Sequence, residues 1–83
     1  MKHYLATIFS ALRSYGFTQV EQRVESNSTL WSNDFGVSAV VMPNGVIRFE
    51  TLRDVRVVRC VNLPLVRVRE RISTLMQLLQ KEK

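Results

Sequence analysis

Residues 36–52 read GVSAVVMPNGVIRFETL, and this stretch decides the fold. Pro43-Asn44-Gly45 is a strong turn signal, because proline presets one turn position and Asn-Gly tolerates positive φ. The half before the turn is apolar on both faces of a strand. The half after it alternates, with Ile47 and Phe49 predicted to point inward and the charged residues beside them outward. The stretch therefore predicts a β-hairpin.

Strand patterns continue on both sides of this hairpin. Residues 17–25 follow period two, which is typical of a half-exposed strand near a sheet edge. Residues 29–42 are extended, either as one bent strand or as two separated by the turn or bulge signal at residues 33–36. Residues 55–61 read as a further strand that is apolar on both faces. Valine dominates the region, and its β-branched side chain favours strands over helices.

Amphipathic helices flank the strands. Apolar residues three and four apart predict a helix over residues 3–15 that ends at Gly16. The same spacing predicts a second helix over residues 64–81, with Pro64 in its first turn. A helix, three to five antiparallel strands and a helix define a two-layer α+β domain. We expect residues 1–83 to form a single domain, because a core of this size does not divide.

The predicted sheet holds more apolar surface than two helices cover. Its central strands are apolar on both faces, so some of these side chains face away from the helices. Exposed apolar patches of this kind mark interfaces. We therefore expect a homodimer joined sheet to sheet, with a different protein docked on the same face as the alternative. The predicted interface residues are Val40, Met42, Val58 and Cys60.

Charge is distributed unevenly along the chain. Twelve basic and seven acidic residues give a net charge of +5, and all of this excess lies in residues 43–83. The excess is mostly arginine, whose planar guanidinium suits phosphate and carboxylate groups. It predicts an anionic partner, a nucleic acid or an acidic protein; the alternative is a solvated basic surface that maintains solubility. The predicted anion-binding residues are Arg48, Arg53, Arg56, Arg59, Arg67 and Arg71.

Residue types that support catalysis are scarce. His3 is the one imidazole and has no nucleophile patterned around it, and Cys60 reads as a small buried hydrophobe in a valine-rich strand. One cysteine excludes an intramolecular disulfide, and one cysteine with one histidine argues against a zinc site. Glu21 and Glu25 lie roughly 13 Å apart on an extended strand, too far for a coupled carboxylate pair. We predict no enzymatic activity, no cofactor and no small-molecule substrate.

Two aromatic residues and the N-terminal stretch leave alternatives open. Trp31 and Phe35 fall in a loop-like stretch, where such residues stack on bases or, more commonly, cap a small core. The basic start and the apolar stretch after it are similar to a secretory signal, but polar residues interrupt the stretch with helical period. No stretch approaches the ~18 apolar residues that span a bilayer. We expect a cytoplasmic protein without a membrane partner.

The leading helix ends at Tyr15-Gly16-Phe17, and a polar turn separates the strands that follow. In this order of elements the chain resembles the helix–three-strand–helix scaffold of double-stranded-RNA-binding domains and of HicA-type toxins that cleave RNA. It also looks like small dimeric nucleoid-associated proteins of the YbaB type. Those toxins need a histidine in the early strand region, where this chain reads Glu25-Ser26-Asn27-Ser28-Thr29. The resemblance to the toxins implies an RNA-binding domain without nuclease activity.

The charge and the apolar sheet face support two functional hypotheses. The first is a small non-enzymatic binding module, homodimeric, whose arginine-rich C-terminal half contacts nucleic acid through phosphates without reading base sequence. The alternative is a protein-binding inhibitor or adaptor from a phage, plasmid or other mobile element, which docks a host protein through the apolar sheet face.

Overall fold

A computed structural model describes residues 3–23 and 25–80 and orders them as a helix, five strands and a helix. The elements are α1 (His3–Ser14), β1 (Thr18–Arg23), β2 (Ser28–Ser32), β3 (Ser38–Val41), β4 (Val46–Glu50), β5 (Val55–Arg59) and α2 (Leu65–Gln80). The strands form one antiparallel sheet in the order β1-β2-β3-β4-β5, so each strand pairs with its neighbours in sequence. The predicted α+β class is confirmed, and the five-stranded sheet departs from the three-stranded scaffold of the RNA-binding domains.

The predicted central hairpin forms through a three-residue connection. The N–H of Met42 donates to the carbonyl of Val46 at 2.8 Å, and the N–H of Gly45 donates to the carbonyl of Met42 at 3.1 Å. Gly45 has a φ of +85°, the left-handed conformation that this type of hairpin loop requires. The Tyr4 hydroxyl donates to the carbonyl of Pro43 at 2.7 Å. This bond ties α1 to the hairpin loop.

Residues 29–42 form two strands, because Asn33 closes a turn between them. Its Oδ1 accepts hydrogen bonds from the N–H groups of Phe35 and Val37, both at 3.0 Å. Its own N–H donates to the carbonyl of Val37 at 3.1 Å. An asparagine side chain that bonds the backbone ahead of it stabilises a turn in this way. The β2–β3 turn therefore leaves Phe35 exposed at one end of the sheet.

Strand β1 departs from the predicted alternation. Its register against β2 shifts between Gln19 and Glu21, so Val20 is an extra residue in a β-bulge. Gln19 lies opposite Trp31 and therefore shares the helix side of the sheet, whereas Glu21 lies on the other side. Strict period two over residues 17–25 predicts that Gln19 and Glu21 share a face, and this prediction is wrong, because a bulge reverses the alternation that follows it. Val24, the last apolar residue of that pattern, lies outside the described residues.

Both helices pack on one face of the sheet. Fully buried residues of the core are Ile8, Ala11, Leu12, Ala39, Ile47, Phe49, Cys60, Val68 and Ile72. Phe9 stacks on Trp31 with 5.2 Å between ring centroids, and Phe17 meets Phe49 edge to face at 6.0 Å. Trp31 is 1% exposed. Its role is therefore to fill the core, and it is not available to stack on bases.

Candidate anion-binding surface

Helix α2 begins directly after Pro64, whose carbonyl accepts hydrogen bonds from the N–H groups of Arg67 at 3.0 Å and Val68 at 3.1 Å. Val68 and Ile72 are fully buried, and they fix the rotation of the helix against the sheet. Residues four apart on a helix lie on the same side. Arg67 and Arg71 therefore project along one exposed side of α2.

An open cleft of about 390 Å³ lies between this side of α2 and strand β5. Arg67, Glu70 and Arg71 line it from the helix, and Val58 lines it from the sheet. We call this feature the arginine cleft. Its apolar wall suits the aliphatic stem of arginine, and the guanidinium groups at the end of such stems reach solvent. A ligand that enters it meets a cationic surface with an apolar wall.

The arginine cleft carries a net positive charge. Nη1 of Arg67 lies 3.3 Å from Oε2 of Glu70, but both side chains are more than half exposed, so the pair adds little stability. Arg71 forms no ion pair with any residue of 3–23 and 25–80. The first turn of α2 contains no acidic residue. These arginines therefore add to the positive end of the helix dipole, an arrangement that favours a bound anion.

Cys60 lies beside this cleft but is fully buried in the core, where the sequence predicted a small buried hydrophobe. Burial raises the pKa of the Cys60 thiol above its ordinary value, and the positive charge of Arg71 opposes this rise only in part. The thiol is therefore protonated at neutral pH. A protonated, inaccessible thiol is neither a nucleophile nor a metal ligand.

We expect native Cys60 to react with iodoacetamide at least about 100-fold more slowly than the denatured chain at neutral pH, because reaction requires the core to open. Mass spectrometry of alkylation time courses with and without denaturant measures this ratio. Equal alkylation rates in the native and denatured chain would contradict the burial.

The raised pKa of Cys60 also makes the free energy of unfolding depend on pH. The stability that this thiol contributes is present below its unfolded pKa and is lost as pH rises through its folded pKa.

Three other predicted arginines surround strand β5. Arg56 lies on the helix side, where its Nε donates to Oδ2 of Asp54 at 2.7 Å. Arg53 is exposed in the β4–β5 turn, and its backbone N–H donates to the Thr51 hydroxyl oxygen at 3.3 Å. Arg59 lies on the opposite side of the sheet from the helices, which we call the open face. These three arginines are close in sequence but point in different directions.

Arg48 occupies the centre of the open face. Its Nη2 lies 3.5 Å from Oε2 of Glu50, and its Nε is buried without a hydrogen-bond partner among the described residues. Cross-strand pairing puts Arg48 between Val40 and Val57. Val40 is 2% exposed although neither helix covers this face, so its neighbours in the sheet bury it. Arg48 is thus separated from the arginine cleft by the thickness of the sheet.

The structure therefore divides the six predicted anion-binding residues. Among the described residues, Arg67 and Arg71 line the same cleft, and the other four predicted arginines do not line it. Sequence reasoning did not select Arg69, which lines a second hollow, on the Tyr15 side of α2, where the Tyr15 hydroxyl donates to the carbonyl of Arg69 at 3.2 Å. The sequence feature that could have identified Arg69 as a candidate was its position between two arginines in the first turns of a predicted helix.

The four predicted interface residues do not share one face. Val40 lies on the open face, but Val58 lies opposite Ile47 on the helix side. Cys60 is 0% exposed, and Met42 is half-buried in the β3–β4 loop. The grouping of Val58 and Cys60 with Val40 is therefore wrong. Alternation along a single strand separates its residues into two faces but does not show which face meets the helices. The sequence therefore could not show which residues of β3 and β5 share a face.

Other apolar residues form the open face. One row across the sheet joins Leu30, Val40, Arg48 and Val57. Val57 is 60% exposed and Val55 on the same side of β5 is 52% exposed. The period-two pattern of β5 contained these residues, but their direction depends on the register with β4. The open face is therefore mixed, with apolar side chains interrupted by charged ones.

Within residues 3–23 and 25–80, no three His, Cys, Asp or Glu side chains are placed to share a metal ion. Neither described helix has the length and apolar character needed to cross a membrane. Comparison with family models, with curated proteins and with solved structures found no match to the chain. The arginine cleft and the open face are the candidate binding surfaces of the described residues.

Proposed function

We propose that the protein is a cytoplasmic, non-enzymatic binding module that holds a polyanion such as nucleic acid at the arginine cleft. The observation that carries this proposal is the shared direction of Arg67 and Arg71, along one exposed side of α2 and beside the apolar wall at Val58. Arginine binds phosphate through a planar fork of donors. Two such groups one helical turn apart suit successive phosphates of a nucleic-acid backbone.

The distribution of charge supports the same class of partner. Residues 43–80 contain seven arginines and three acidic residues, whereas residues 1–42 are balanced. The summed field over β5 and α2 attracts a polyanion before contact is made. Contacts of this kind go to phosphates, so we expect binding that is independent of base sequence.

The Arg67→Ala/Arg71→Ala variant should bind labelled DNA and RNA more weakly than the wild-type chain, because it loses two phosphate contacts. The slope of log affinity against log salt concentration should become shallower by about 1.4–1.8. Both side chains are exposed, so the fold should be retained. Fluorescence anisotropy titrations at about 50 and 200 mM salt measure the slope, and circular dichroism checks the fold.

A matched control is Arg23→Ala. Arg23 lies on β1, at the other end of the sheet from β5, and its Nε is 3.7 Å from Oε2 of Glu21. This variant removes one exposed arginine away from the arginine cleft and should leave the salt slope unchanged. No binding by the wild-type chain at low salt, or an equal loss in Arg23→Ala, would refute the proposed site.

A second candidate function is the docking of another protein on the open face, as an inhibitor or adaptor encoded by a mobile element would do. The observation that favours it is that neither described helix packs on the open face, where Leu30 is half-buried and Val57 is exposed. Apolar docking responds little to salt, whereas polyanion binding weakens steeply. Leu30→Lys should abolish docking and leave polyanion affinity intact.

A further inference from the structure

The sheet ends at β1 and β5, and these two edges differ. Strand β1 carries the bulge at Val20, a feature that twists an edge and interrupts pairing with another chain. Strand β5 pairs regularly with β4 over all of its residues and contains no proline. Val55 and Val57 on it are more than half exposed. A regular, exposed edge strand is a template for pairing with a second strand.

Backbone geometry shows which groups of β5 point out of the sheet. The N–H of Cys60 donates to the carbonyl of Gly45 at 2.9 Å, so the adjacent pair, Val46 and Arg59, is one without mutual hydrogen bonds. Pairs with and without mutual hydrogen bonds alternate along an antiparallel ladder. The pair Arg48–Val57, two residues along the ladder from Val46–Arg59, therefore also lacks mutual hydrogen bonds. Arg59 and Val57 therefore direct their N–H and C=O groups away from β4.

One end of this edge is already closed. The N–H of Val55, which follows the same alternation, donates to Oδ1 of Asp54 at 2.8 Å. The other carboxylate oxygen of Asp54 accepts from Nε of Arg56 at 2.7 Å. The groups that remain directed outward are the N–H donors of Val57 and Arg59 and the carbonyl acceptors of Val55, Val57 and Arg59.

The sequence of β5 suits pairing with itself. It reads Val55-Arg56-Val57-Val58-Arg59. In an antiparallel arrangement centred on Val57, each Val57 lies opposite Val57 of the second copy, Arg56 lies opposite Val58, and Arg59 lies opposite Val55. No arginine lies opposite an arginine, so the register avoids like-charge repulsion. The outward N–H and C=O groups of Val57 also meet their counterparts directly.

We propose that two copies of the chain associate through β5, antiparallel about a two-fold axis at Val57, so that their sheets become continuous. The N–H of Val57 donates to the Val57 carbonyl of the second copy, and the N–H of Arg59 donates to the Val55 carbonyl. The association differs from the sheet-to-sheet dimer expected from the sequence. It does not require burial of the open face, and it does not depend on the proposed polyanion binding.

Analytical ultracentrifugation of the wild-type chain and of Val57→Pro tests this association. The Val57 N–H is outside the β4–β5 ladder, so proline at this edge position removes the intermolecular donor and leaves the intramolecular ladder intact. We expect a concentration-dependent dimer for the wild-type chain and a folded monomer for Val57→Pro. A monomeric wild-type chain, or a Val57→Pro variant that remains dimeric, would overturn the proposal.

Val57→Lys is a second variant with a matched control. It puts two ammonium groups opposite each other at the two-fold axis and should also yield a monomer. Val20→Lys changes an equally exposed valine, 59% against 60%, on the bulged edge and should stay dimeric. Leu30→Lys should stay dimeric too, since it alters only the open face. Loss of the dimer in Leu30→Lys but not in Val57→Lys would establish sheet-to-sheet packing and refute the edge pairing.

Amide hydrogen exchange supplies a readout at single residues. In a monomer the N–H groups of Val57 and Arg59 point to solvent and exchange rapidly, whereas in the proposed dimer they are hydrogen-bonded. We expect their protection to rise with protein concentration, while residues of β1 show no such rise. If the dimer forms but the N–H groups of Val57 and Arg59 still exchange rapidly, the proposed register is contradicted.

Discussion

The Phe49→Ala variant will lose about 3–5 kcal/mol of unfolding free energy, the cost of removing a buried aromatic ring. This is a large fraction of the stability expected for a domain of 83 residues, about 4–12 kcal/mol. Phe49 is fully buried on the helix side of β4 and contacts Phe17 edge to face. The surrounding core relaxes only partly into the space that the ring leaves. Guanidinium denaturation followed by the fluorescence of buried Trp31 measures the loss.

Phe35→Ala is the matched control, because it removes the same side chain from a turn where the ring is 67% exposed. Its effect should stay within about 0.5 kcal/mol of zero. The comparison separates burial from residue type, since both variants delete the same atoms. Similar losses in the two variants would show that Phe49 does not occupy the core as described.

The Gly45→Ala variant should lose about 2–5 kcal/mol, from two additive causes. Alanine at a φ of +85° costs about 1–2 kcal/mol, because its Cβ crowds the backbone in the left-handed region. The added Cβ would also lie 2.7 Å from Cγ2 of Val61 and 3.1 Å from Cε2 of Tyr4. Displacing these neighbours costs about 1–3 kcal/mol more. Thermal denaturation followed by circular dichroism gives the loss.

Gly36→Ala isolates the backbone cost. Gly36 has nearly the same φ, +82°, but a Cβ there would meet nothing within 4 Å. Its loss should therefore be only about 1–2 kcal/mol. The difference between the two variants measures how tightly the β3–β4 loop packs against α1 and the residues after β5. If the two losses were equal, that packing would contribute nothing.

Local sequence signals were sufficient for the helices and the central hairpin. The loop at Pro43-Asn44-Gly45 and the alternation after it are encoded by adjacent residues, and the hairpin forms where they predicted it. The bulge at Val20 had no such signal, because it is a property of the pairing between β1 and β2. The face occupied by Val58 likewise depends on the register between β4 and β5. Bulges and faces that depend on the pairing of two strands could not be predicted from the residues of one strand.

The same distinction applies to the arginines. The location of the excess charge in the C-terminal half is a property of composition and could be predicted. The shared direction of Arg67 and Arg71 follows from helical periodicity, which the sequence also contains. Whether Arg56 and Arg59 face the helices is decided by tertiary packing. Their separation onto opposite sides of β5 follows from strand alternation and could be predicted, but which side meets the helices emerges only from the structure.

The order of the strands also has a kinetic consequence. Each of the five described strands pairs only with strands adjacent in sequence, so formation of the sheet closes only short loops. The packing of α1 on α2 joins opposite ends of the chain, and the bond from Tyr4 to Pro43 spans 39 residues. Loop-closure entropy rises with loop length. The route of lowest entropic cost therefore builds the hairpins first and brings the two helices together last.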